Sequence, residues 1–174
     1  MPQLFEFKAR IDNWLHIERK LLTLNPLFKG VDIQRDTYFN VPDGRLKLRE
    51  GSIENALIHY HRNNIAGAKP SDVLLYPHQP EHALKEILKK ALGIKIIIRK
   101  TRKIYFIENV KFHFDQVESL GNFIEVEAID NDGSIGTEKL EKQCNYFISF
   151  LGIKKEDFIA ESYSDLLLNK NTKV

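Results

Sequence analysis

The sequence has one cysteine, one methionine and one tryptophan among 174 residues. A single thiol, Cys144, cannot form an internal disulfide, so the chain is expected in a reducing compartment and is read as cytoplasmic. No stretch approaches the roughly 18 consecutive apolar residues that span a bilayer, and apolar runs such as 96–98 are far too short. Residues 1–8 carry no basic stretch followed by an apolar one, so a cleaved secretory leader is not expected. A Walker phosphate loop, a Gly-x-Gly-x-x-Gly turn and a Gly-x-Ser-x-Gly elbow are all missing, which argues against P-loop, Rossmann and serine-hydrolase chemistry. An excess of one charge is lacking too: 26 Lys and Arg against 24 Asp and Glu leave +2. What is present, 43% apolar and 29% charged residues, suits a single globular domain spanning 1–174.

The charge that globally cancels is locally sorted. Basic residues prevail over 45–62 and 95–103, and acidic ones over 115–132. A small domain with separate basic and acidic zones suggests an anionic ligand together with a cation.

Periodicity supplies the elements. Residues 3–11 alternate Leu4, Glu6, Lys8 and Arg10 against Phe5, Phe7, Ala9 and Ile11, which predicts a strand. Asp12 is the expected N-cap of a helix burying Trp14, Leu15, Ile17, Leu21 and Leu22, stopped by Asn25-Pro26. A Pro42-Asp43-Gly44 turn between alternating runs predicts a hairpin over 31–50, and another strand follows over 56–63. Residues 67–70 and 76–80 read as loops. After Pro80, the stripe Ala83, Leu84, Ile87, Leu88, Ala91 and Leu92 predicts a helix ended by Gly93. Three strands are expected near 94–107, 109–118 and 122–130, then a helix holding Leu140, Cys144, Phe147, Ile148 and Leu151, and a short final helix with Leu166 and Leu167. The sum is an α+β domain of about eight strands and four helices.

Several strands put charge on one parity: Glu6, Lys8 and Arg10; Arg45, Lys47 and Arg49; Lys100 and Arg102; Lys111, His113 and Asp115. A solvated sheet face explains charged alternation equally well. Segregation by strand and sign favours a ligand: Lys47, Arg49, Arg62, Lys100, Arg102 and Lys111 on one concave sheet would repel unless an anion such as a triphosphate compensated them. Closed into a barrel, the sheet would make a basic tunnel. The acidic counterpart is Glu125-x-Glu127, whose Cα atoms lie roughly 6.5 Å apart on one strand face. Such a pair can share a divalent ion, with Asp115 and Glu6 completing a four-acid cluster, or can simply be two exposed strand glutamates. His59 and His61 lack further ligands at zinc spacing and read as surface histidines; Ser162 and Ser164 read as helix capping.

The blocks QRDTYFNVPDGRLKLRE (34–50), LIHYHR (57–62), RKTR (99–102), VKFHFDQV (110–117), LGNFIEVE (120–127) and SYSDLL (162–167), in this order, resemble the CYTH superfamily and within it the class IV adenylyl cyclases. The resemblance implies an eight-stranded closed antiparallel β-barrel, the triphosphate tunnel, with helices packed outside. It implies that Lys8, Lys47, Arg49, Arg62, Lys100, Arg102 and Lys111 hold a triphosphate, that Glu6, Asp115, Glu125 and Glu127 hold Mg²⁺ or Mn²⁺, and that Lys111, Arg62, Glu125 and Glu127 serve catalysis. The reaction implied is conversion of ATP to 3′,5′-cyclic AMP and pyrophosphate. A triphosphatase acting on inorganic or thiamine triphosphate in the same tunnel, and a silent nucleotide or polyphosphate binder, are the competing expectations. The family's opening Glu-x-Glu-x-Lys is here Leu4-x-Glu6-x-Lys8, one acid short. Neither nucleic acid nor membrane is an expected partner, and related proteins are often homodimers.

Overall fold

The computed structural model describes residues 3–61 and 66–172. Its strands are β1 (Gln3–Arg10), β2 (Leu27–Phe39), β3 (Arg45–Gly51), β4 (Ala56–His61), β5 (Lys69–Pro70), β6 (Asp72–Pro77), β7 (Ile94–Ile107), β8 (Val110–Val117) and β9 (Gly121–Asp130). The helices are α1 (Trp14–Leu22), α2 (His82–Leu92), α3 (Thr137–Leu151) and α4 (Tyr163–Asn171). All strand pairs are antiparallel, in the order β5-β1-β9-β8-β7-β2-β3-β4-β6.

The two ends of that order are one run of chain. Only Ser71 separates β5 from β6; β5 pairs with β1, β6 pairs with β4, and the Ser71 N–H donates to Leu4 O at 3.1 Å. Counted as a single stave, the run closes the ring and brings nine strands to the expected eight. Residues 67–70 and 76–80, expected as loops, instead supply β5 and the end of β6, each of which finishes at a proline, Pro70 or Pro77. Proline lacks an N–H and is tolerated where a strand ends or turns, and Pro70 immediately precedes the corner at Ser71 where the run changes partners.

Strand alternation decides what faces each way. The outward residues of β1 (Phe5, Phe7, Ala9), β8 (Val110, Phe112, Phe114) and β9 (Ile124, Val126, Ala128) form the main core with Leu140, Cys144, Phe147 and Leu151 of α3. A second cluster joins Tyr38, Ala56, Ile58, Tyr60, Ile98, Phe123 and Tyr163.

Two helices depart from expectation. The N-cap of α1 is Asn13, whose Oδ1 accepts from the His16 N–H at 3.1 Å, in place of Asp12. Of the stripe on α1 only Leu21 is buried; Trp14 and Ile17 are partly covered, and Leu15 and Leu22 are exposed. A nine-residue helix meets the barrel along one row, and the buried Glu18 shares that row, held by Lys103, Tyr105 and Trp14. Helix α2 forms where predicted but buries no residue fully, and its Ile87 is exposed.

Candidate active site

The inner residues of the ring enclose a cavity of about 630 Å³ whose walls differ in character. Its acidic wall is built by register. Glu6 of β1, Glu127 of β9 and Lys111 of β8 lie on one rung; Lys8, Glu125 and His113 lie on the next. Nearer the mouth the corresponding rung is Leu4 opposite Ile129, so the acid missing from the sequence leaves an apolar pair at the cavity edge. Lys8 Nζ is 3.3 Å from Glu125 Oε1 and 4.1 Å from the centre of the Tyr163 ring.

The basic wall is organised by one buried carboxylate. Asp36 of β2 accepts from Arg49 through Nε at 2.9 Å and Nη2 at 3.0 Å, and from Lys100 Nζ at 2.7 Å, with Lys47 Nζ at 3.3 Å. Burial opposes its charge, yet Arg49, Lys100 and Lys47 hold the Asp36 carboxyl well below the usual carboxylate range. Burial brings Lys100 down to about 7 against the pull of Asp36, and the neighbouring Arg49 and Arg102 push the same way. Arg102 is bidentate to Asp115, both contacts at 2.6 Å, and also reaches Glu125 Oε2 at 3.0 Å.

The β3–β4 loop adds a further acid. Asp32 accepts from the hydroxyl of Ser52 and the N–H groups of Ile53 and Glu54, and so pins the loop to the barrel. Held this way, Glu54 reaches into the cavity, where it accepts from Lys111 through Oε1 and from Arg49 at 3.3 Å through Oε2.

Among the described residues, therefore, the sequence-derived set Glu6, Lys8, Lys47, Arg49, Lys100, Arg102, Lys111, Glu125 and Glu127 does converge on one lumen. Asp115 does not line the cavity: it is fully buried, with both oxygens engaged by Arg102 and one also accepting the Tyr163 hydroxyl at 2.7 Å. Arg62 lies outside the described residues. The expectation that the bases repel without an anion needs correcting, because Asp36, Asp115, Glu54 and Glu125 already answer them. Asp36, Glu54 and Tyr163 were missed. Asp36 had a signal, since it shares parity with Tyr38 and pairs with Arg49 across the hairpin, while Glu54 lies in a loop with no period to read.

Ligand atoms of His113, Glu125 and Glu127 lie within 4.8 Å of one another. Burial, together with Glu125 and Glu6, pushes the Glu127 carboxyl up to about 7, with Lys111 pulling it back. Burial opposes charge on Glu125 also, but Lys8, the hydrogen bond from His113 and Arg102 hold it well below its ordinary value. Burial, Arg102 and Lys111 push His113 down to about 3. The donor set fits a dication: Glu125 and Glu127 share one face of β9, and Glu125 and Glu6 crowd the Glu127 carboxyl.

A CYTH domain is matched over residues 4–163. The chain belongs to the CYTH domain family. A curated relative from Methanocaldococcus jannaschii, named "Putative adenylate cyclase MJ0240", is 29% identical over 171 residues, covering 92% of this chain and 96% of that one. The solved PH1012 protein of Pyrococcus horikoshii superposes with a TM-score of 0.81 at 25% identity, covering 94% of this chain and 98% of its own. A Vibrio parahaemolyticus protein superposes equally well, 0.81, at 15% identity, with 95% and 97% covered; at that identity the likeness is one of CYTH architecture alone.

Proposed function

We propose that this CYTH protein is a dication-dependent adenylyl cyclase that converts ATP to 3′,5′-cyclic AMP and pyrophosphate. The observation that carries the reading is the mixed lining of the cavity. It presents Lys47, Arg49, Lys100, Arg102 and Lys111 with Glu6, Glu125 and Glu127, and it also presents apolar and aromatic groups, Tyr38, Ile58, Tyr60, Val73 and Leu75. A polyphosphate alone has no use for the apolar and aromatic groups, whereas a nucleoside triphosphate engages both kinds. The name of the archaeal relative points the same way.

The charge balance of the lumen supports a dication. Its bases are largely matched by carboxylates, so a triphosphate of about four negative charges would overcharge it unless it arrived with cations. Glu6, Glu125 and Glu127 would hold the ion, which supplies Lewis-acid stabilisation of the phosphate oxygens. The remaining work falls to the chain. Arg49, Lys100 and Lys47, fixed by Asp36, grip the β- and γ-phosphates and receive the leaving pyrophosphate. Lys111 faces the α-phosphate and stabilises charge as the ribose 3′-oxygen forms its bond to phosphorus, the bond to the bridging oxygen breaks, and the hydroxyl proton passes to the departing pyrophosphate. Tyr38 and Tyr60 orient the base and exclude water, which would otherwise divert the reaction to hydrolysis.

Product analysis by mass after incubation with ATP and Mn²⁺ tests this. Cyclic AMP and pyrophosphate are expected, abolished by Lys111→Ala or Glu125→Gln. Orthophosphate without cyclic AMP would assign a triphosphatase, and tight nucleotide binding without turnover a silent binder.

A further inference from the structure

We propose that the dication of this lumen is held by a mixed nitrogen–oxygen site in which His113 is a ligand beside Glu125 and Glu127, and that the site takes a transition ion of the Mn²⁺ or Co²⁺ kind in preference to Mg²⁺. The assignment rests on the reading of the lumen as a dication site.

Three observations carry it. The first is distance. Nδ1 of His113 lies 3.4 Å from Glu125 Oε2 and 3.9 Å from Glu127 Oε1. Two atoms each bound about 2.1 Å from one ion can be no more than about 4.2 Å apart, and both separations fall inside that limit.

The second is the histidine itself. It is 1% exposed, and its Nε2 is buried without a hydrogen-bond partner. A histidine kept for packing would use both nitrogens or be replaced by an apolar residue, because an unmade buried hydrogen bond costs about 1–3 kcal/mol. Arg102 and Lys111 also act on this ring, but Nδ1 is turned toward the two carboxylates of the cluster.

The third is what surrounds the cluster. On the side toward the mouth the next rung is Leu4 opposite Ile129, which offers no oxygen. Farther along β8, Asp115 has both oxygens committed to Arg102. Glu6, opposite Glu127, adds a carboxylate from β1, and the donor that β8 brings within reach of Glu125 and Glu127 is a nitrogen. Mg²⁺ demands a near-octahedral set of oxygens, whereas imidazole suits the later divalent ions.

The test is calorimetric titration of the full-length, metal-free protein with Mn²⁺, Co²⁺ or Mg²⁺ alone. Wild type should bind Mn²⁺ and Co²⁺ at least about 30-fold more tightly than Mg²⁺, and His113→Gln should weaken both by at least about tenfold while moving Mg²⁺ by less than about threefold. Parallel loss for all three ions, or an unchanged preference, overturns the assignment. Should the variant fail to fold, pulsed electron paramagnetic resonance of the Mn²⁺-loaded wild type decides: nitrogen coupling from the imidazole is expected, and its absence overturns the assignment. The two readings fail separately. Nitrogen coupling with no turnover of any triphosphate leaves His113 a ligand and removes the cyclase; cyclic AMP formation with Mg²⁺ and no nitrogen coupling does the reverse.

Discussion

Glu54 and Lys111 meet across the lumen, a carboxylate carried by the β3–β4 loop against an ammonium carried by β8. Since Glu54 also reaches Arg49, it stands where an incoming phosphate would make its contacts. Glu54→Gln should tighten the binding of tripolyphosphate by about tenfold, roughly 1.4 kcal/mol, as the competing charge is removed. Its melting temperature should fall slightly at the same time. Calorimetric titration with tripolyphosphate checks both the sign and the size; weaker binding would show that Glu54 helps to place Lys111 for the ligand.

Asp36 answers three cations at once, so its neutral isostere should be costly. Asp36→Asn leaves Arg49 and Lys100 buried beside an amide and should lower stability by about 3–5 kcal/mol. Denaturant unfolding measures the loss. Saturating tripolyphosphate should restore more stability to the variant than it adds to wild type, because the ligand supplies the missing negative charge.

Glu127 makes the metal-free protein sensitive to pH in a defined direction. Its carboxyl holds a proton up to about 7 in the folded state, against an ordinary value of 4.5. Between those values the folded chain binds more protons than the unfolded one, so raising the pH through this window removes stability. Compared with Glu127→Gln, wild type should lose up to about 3 kcal/mol from pH 4.5 to 7 and nothing further above it. Paired thermal melts across this range test the slope, and a gain in relative stability with pH would contradict it.

The apolar part of the cavity should matter to the base and not to the phosphates. Tyr60→Ala should raise KM for ATP by about tenfold, corresponding to loss of a stacked aromatic contact of roughly 1–1.5 kcal/mol, while tripolyphosphate binds as in wild type. Equal weakening of both ligands would place Tyr60 outside base recognition.

The inward face of each strand was legible because parity is a local property. Glu6 with Lys8, Lys111 with His113, and Glu125 with Glu127 could be assigned to faces without knowing which strands are neighbours. Partnership was not legible, because it depends on strands distant in sequence. That Asp115 belongs to Arg102 follows from the β7–β8 register, and that Asp36 gathers bases from β3 and β7 follows from the position of β2 between them. The stripe on α2 shows the opposite limit. Its period correctly gave a helix, but burial depends on whether another element lies against the stripe, and Ile87 meets none closely enough to be covered.

The same alternation that sets Ile124, Val126 and Ala128 among buried apolar groups also points Glu125 and Glu127 into the cavity. A shift of β9 by a single residue would exchange the two sets, pressing carboxylates against α3 and lining the cavity with hydrocarbon. Folding and chemistry thus share one alignment error: a molecule that zips β9 one step out of place forfeits its solubility and its reactivity together, and neither can drift while the other is preserved.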